Sequence, residues 1–129
     1  MARLKEIVID ATVPSALARF WAAALDRYRV RAYDAAELAR LAARGFTPET
    51  DPAVMVDGPG PSLCFQQRRE GIADRGRIHL DVATPDREAE IARLESLGAT
   101  RYREADARTT VMQDPEGNVF CVVEVPPPS

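Results

Sequence analysis

The chain has 129 residues and a formal net charge of −3, from 17 basic and 20 acidic side chains. One domain with a single core is expected at that length, and 46% hydrophobic with 29% charged residues is a globular rather than a disordered composition. Mild acidity offers no footprint for nucleic acid, no apolar run approaches the ~18 residues of a membrane span, and the opening MARLKEIVIDA lacks a secretory pattern, so a cytoplasmic location is expected.

Leu4 to Ala11 alternates, with Ile7 and Ile9 on one face and Glu6, Val8 and Asp10 on the other, which predicts a half-buried strand. Pro14 suits a first helical turn, and Leu17, Phe20, Trp21, Ala24 and Leu25 form one apolar stripe with Phe20 and Trp21 in the core. Tyr28 to Tyr33 alternates as a strand. Asp34 and Glu37 have capping-box spacing before a helix striped by Leu38, Leu41 and Ala42 and stopped by Gly45. Ala53 to Val56 predicts a short strand, and Asp57-Gly-Pro-Gly-Pro61 turns the chain into Ser62 to Arg68. The polar stretch Glu70 to Gly76 is the expected boundary between modules.

Arg77 to Val82 then predicts a strand, with Ile78, Leu80 and Val82 on its apolar face and Arg77, His79 and Asp81 on the other. Thr84 is an expected N-cap and Pro85 an expected N1, followed by the stripe Ile91, Leu94 and Leu97 and by Gly98 at C′. Thr100 to Arg103 and Thr109 to Gln113 read as strands. Asp114-Pro-Glu-Gly117 has type I turn chemistry, and Asn118 to Val125 is the last strand.

The order of elements repeats. EIVIDATVPS (6–15) aligns with RIHLDVATPD (77–86), and GPSLCFQQ (60–67) aligns with GNVFCVVE (117–124), which pairs Cys64 with Cys121. The extra length of the first copy matches the capped helix over about 34–45. The chain therefore reads as one domain, 1–129, of α+β class, built from two βαβββ modules at about 3–69 and 77–125.

That doubled unit, with ARFWAAAL (18–25), GPGPSLCFQQ (58–67), RIHLDVATPDREAEIARLESLGAT (77–100) and DPEGNVFCVVE (114–124), resembles the vicinal oxygen chelate superfamily. That group comprises glyoxalase I, bleomycin-resistance proteins and extradiol dioxygenases, and the likeness is to its small glyoxalase-like domains. The resemblance implies a curved mixed sheet around a cavity and a homodimer. It also implies metal ligands at four symmetric strand positions, which fall here on Val8, Gln67, His79 and Glu124. Val8 cannot ligate, which leaves Gln67, His79 and Glu124 as the implied set for a divalent metal such as Mn, Ni, Zn or Fe.

The residues themselves constrain this set. There is one histidine, His79, which excludes sites that need two from one chain and disfavours a dioxygenase. Glu124 shares a face with Phe120 and Val122, so it is either partly buried or at a frayed strand end. Arg77 beside His79, Phe120 beside Glu124, and Val8 at the vacated ligand position are the expected ligand-binding side chains. Asp10 and Asp81 each precede a Pro-started helix, where capping or turn bonding is the expected role. Cys64 and Cys121 read as free thiols serving as small core residues on the helix side of their strands.

Three functions fit these readings. The leading one is a small-molecule-binding protein without a complete metal site, as in the bleomycin-resistance proteins. The second is a metal-dependent lyase or isomerase of glyoxalase type, in which Glu124 moves a proton and the metal stabilises an enediolate. The third is a structural or regulatory homodimer with a vestigial site.

Overall fold

The computed structural model describes residues 1–68 and 78–127. Eight strands and three helices follow one another as β1 (Arg3–Ala11), α1 (Pro14–Ala24), β2 (Arg29–Val30), α2 (Ala35–Ala43), β3 (Ala53–Asp57), β4 (Ser62–Gln67), β5 (Ile78–Thr84), α3 (Arg87–Ser96), β6 (Thr100–Glu104), β7 (Thr109–Gln113) and β8 (Val119–Glu124). This is an α+β architecture of two strand-helix-three-strand modules, with α2 inserted in the first. Among the described residues no helix is long and apolar enough to cross a membrane.

The chain divides into two compact units, one of Ile7–Ile78 and one of Met1–Glu6 with His79–Ser129. The polar stretch Glu70 to Gly76, the expected module boundary, lies outside the described residues, as does Arg77.

In the first unit the strands neighbour one another in the order β2-β3-β4-β1. Val54 pairs with Phe65 and Val56 with Leu63, and these residues form the core under α1 with Ala18, Leu17 and Trp21. Phe20 differs from expectation: it is 59% exposed and meets Trp21 edge-on. The α1 stripe is narrower than the sequence suggests because Ala18, not Phe20, occupies the contact line with the sheet. The strand expected over Tyr28 to Tyr33 shrinks to Arg29–Val30. Asp34 caps α2 through the complete capping box with Glu37, and Gly45 takes the left-handed conformation beyond its end at φ +81°.

In the second unit the order is β5-β8-β7-β6, with β5 and β8 parallel and the other pairs antiparallel. Ile91 and Leu94 of α3 pack on Val82, Phe120, Val122 and Met112. The N-cap of α3 is Asp86, which accepts from Ala89 N at 3.1 Å, rather than Thr84, whose hydroxyl accepts from Asp86 N at 3.2 Å. The helix thus starts two residues later than expected, because the aspartate competes better than the threonine for the first free N–H groups. A ten-residue helix spans about 15 Å against about 23 Å for the seven residues of β5. Consequently Val82 is covered, whereas Leu80 stays 44% exposed on the same strand face.

Candidate functional site

Strand alternation and register fix which side chains of the second unit share a face. In the β5–β8 pair Leu80 lies opposite Phe120, Asp81 opposite Cys121, Val82 opposite Val122, and Thr84 opposite Glu124. In the β7–β8 pair Met112 lies opposite Phe120 and Val111 opposite Cys121. The cluster of Val82, Phe120, Val122 and Met112 marks one face as the α3 side. His79, Asp81, Ala83, Cys121, Val123 and Val111 are therefore on the other side. Ala83 and Val111 are buried there, so the polar members of that face stand in a protected setting.

Three of them converge. His79, Asp81 and Cys121 each offer one ligand-type atom, and those atoms lie within 4.8 Å of one another. His79 Nε2 is 3.3 Å from Asp81 Oδ1, with both side chains largely covered. That approach is an ion-pair contact off the hydrogen-bond axis, and the buried Oδ1 makes no hydrogen bond among the described residues. The Asp81 carboxylate first, then the Cys121 sulfur, push the His79 pKa up to about 10 despite its burial. Burial works to raise Asp81, but His79 and Glu6 together outweigh it and leave Asp81 lowered. Glu6 belongs to the same unit and is raised, first by burial and then by the Asp81 carboxylate, against the pull of Lys5 at 3.0 Å. Around neutral pH the centre thus holds an imidazolium beside the Asp81 carboxylate, with a second carboxyl, Glu6, that resists ionisation.

Of the other expected site residues, Glu124 and Phe120 lie on the opposite face of the second unit, and Gln67 and Val8 belong to the first unit. Glu124 stands on the α3 side at the end of β8, exposed, and its Oε1 accepts from Arg87 N at 3.4 Å in the first turn of α3. Gln67 ends β4 in the first unit, where its Nε2 donates to Thr12 O at 3.0 Å. Val8 is buried in β1, on the strand face opposite Ile7 and Ile9. Phe120 packs beside the α3 core. The structure does not bring His79 and Glu124 together.

Two side chains were assigned other roles from sequence. Asp81 does not cap or turn; it pairs with His79. Cys121 faces away from α3 because Phe120 and Val122 take the helix side, and Cys64 pairs with Met55 on the face opposite Phe65 and Val54. Neither cysteine is in a disulfide. Alternation alone could have found Asp81 beside His79. Cys121 carried no such signal, because both faces of β8 are apolar.

As donors, an imidazole nitrogen, a carboxylate oxygen and a thiol sulfur within one small space fit a divalent metal of borderline softness. Asp81 Oδ1, ion-paired with His79 but without a hydrogen bond among the described residues, keeps acceptor capacity for it. The set inferred from the resemblance, with Glu124 on the other face from His79, does not converge in the same way.

The profile of the glyoxalase-like domain family matches residues 6–123. No curated protein matches the chain significantly. Among solved structures, a hypothetical protein from Bacillus halodurans C-125 is similar at a TM-score of 0.62 and 12% identity, over 99% of this chain and 97% of that one. A glyoxalase/bleomycin resistance protein/dioxygenase superfamily member from Vibrio splendidus 12B01 is similar at 0.57 and 12% identity, over 97% of this chain and 100% of that one. At such identities these two likenesses establish the fold alone.

Proposed function

Starting from a chain that belongs to the glyoxalase-like domain family, we propose that it is a small-molecule-binding protein whose ligand site is the sheet face carrying His79, Asp81 and Cys121. The observation that supports this reading most is the convergence of these three side chains away from the helix, next to the buried Ala83 and Val111. A few polar groups in a sheltered, otherwise apolar setting are the usual composition of a ligand site. The protonated imidazole offers a charge-assisted donor to an acceptor oxygen of the ligand.

A glyoxalase-type lyase acting through Glu124 is the weaker reading. A proton-transfer base must come within hydrogen-bond reach of the reacting atom, and Glu124 is engaged at the start of α3 on the opposite face. Fragment screening by amide NMR tests the proposal. Oxygen-bearing fragments are expected to shift His79, Asp81, Cys121 and Val111, and His79→Ala is expected to abolish the shifts while the rest of the spectrum persists. Fragments that instead gather in the hollow lined by Arg27, Tyr28, Arg29, Asp57 and Gly58 of the first unit would overturn it.

A further inference from the structure

We propose that His79, Asp81 and Cys121 form a metal site for a thiophilic divalent cation of the zinc class, held by the β5–β8 strand pair alone. The inference rests on the proposed ligand site only for its place in the fold.

The geometry carries it. Asp81 and Cys121 are register partners on adjacent parallel strands, so their side chains leave the same face side by side. His79 is two residues before Asp81 on that face, the strand spacing that puts two side chains in line. Ligands of a tetrahedral zinc ion, bound at about 2.0–2.3 Å, stand roughly 3.3–3.7 Å apart. The His79 nitrogen and Asp81 oxygen are already 3.3 Å apart, and all three donor atoms lie within 4.8 Å. Closing the shell therefore needs side-chain shifts of about an ångström rather than backbone movement.

Asp81 Oδ1 adds an independent sign. It is a buried carboxylate oxygen that, among the described residues, has the off-axis approach of His79 Nε2 at 3.3 Å but no hydrogen bond, and lone pairs left without a hydrogen bond are costly unless another group occupies them. A cation there would occupy them. Glu6, whose carboxyl contacts Asp81, fits the part of an outer-shell partner that fixes a ligating carboxylate.

The donor types set the metal class. One thiolate and one imidazole among three ligands favour zinc, cobalt or nickel over magnesium, calcium or manganese, which prefer all-oxygen shells. Three protein ligands leave a coordination position open for water or a ligand oxygen. This set differs from Gln67, His79 and Glu124 in a way that can be read directly, because it contains sulfur and dispenses with Glu124.

The test is a cobalt(II) titration of the full chain, reduced and under anaerobic conditions, followed by absorbance. The expected result is one equivalent bound, visible bands of a four-coordinate ion, a near-ultraviolet sulfur-to-cobalt charge-transfer band, and displacement by zinc. Cys121→Ser is expected to remove the charge-transfer band, and His79→Ala and Asp81→Asn to weaken binding by at least about tenfold. Cys64→Ser, Gln67→Ala and Glu124→Gln are expected to stay within about twofold of the parent, since those side chains lie outside the proposed shell. Asp81→Asn is nearly isosteric, so it decides the matter if the Cys121 variant does not fold. Absence of binding, a charge-transfer band that survives Cys121→Ser or vanishes with Cys64→Ser, or loss of binding with Glu124→Gln overturns the proposal. No organic ligand is present, so a negative result leaves the fragment-binding reading intact, and a failed fragment screen leaves this one intact.

Discussion

His79 and Glu124 project from opposite faces of the β5–β8 strand pair. The register that sets Asp81 against Cys121 and Thr84 against Glu124 admits no other arrangement, because His79 shares one face with Asp81 and Glu124 shares the other with Val122. A carboxylate that shares the helix side with Val122 and touches Arg87 N belongs to the start of α3.

For that reason Glu124→Gln is expected to cost stability slightly and function not at all. Loss of a negative charge at a helix N-terminus amounts to roughly 0.3–1 kcal/mol. Urea unfolding checks the first part, and fragment affinity the second. An affinity loss of tenfold or more would return Glu124 to the site.

The His79 pairing also sets a pH dependence. Its folded pKa of about 10 lies above the ordinary 6.5, so the pairing contributes its full stability below about 6.5 and loses it as pH rises through about 10. Thermal melts of the metal-free chain are therefore expected to fall between those pH values, and His79→Gln is expected to flatten that decline. An unchanged slope in the variant would remove His79 as its source.

The second core depends on Ile91, which is fully buried against Val122 and Met112. Ile91→Ala is expected to destabilise by about 2–5 kcal/mol. A loss below 1 kcal/mol in denaturant titrations would mean that α3 is not seated on this face.

Gly58 is required for a steric reason. A Cβ there would sit 2.4 Å from the Tyr28 ring, whose hydroxyl donates to Pro61 O at 3.0 Å. Gly58→Ala is expected to cost about 1–3 kcal/mol, and little further in a Tyr28→Ala background. Equal costs in both backgrounds, measured as a double-mutant cycle, would place the strain elsewhere.

Much of the fold was legible in the residues. The Asp34–Glu37 capping box, Gly45 and Gly98 in left-handed turns, and the DPEG hairpin are local signals, and each falls where its chemistry requires. Phe20 and Leu80 were harder. A helix or strand pattern states which residues share a face, but not how far the opposing element extends over that face.

The site needed one fact that no single strand contains. Alternation correctly placed His79 with Asp81, and Glu124 with Phe120 and Val122. Whether Glu124 or Cys121 stands beside His79 depends on the register between β5 and β8. In FCVVEV both faces are apolar, so the pattern does not decide which one meets the helix, and the expectation that Cys121 takes the helix side is reversed. The Val82–Val122 contact under Ile91 marks it.

A proton NMR titration of the single histidine tests the central claim most directly, since every imidazole signal belongs to His79. The account predicts a midpoint well above 6.5, near 10, lowered by Asp81→Asn and unmoved by Glu124→Gln. A midpoint near 6.5 in the parent, or one that follows Glu124 rather than Asp81, would contradict it.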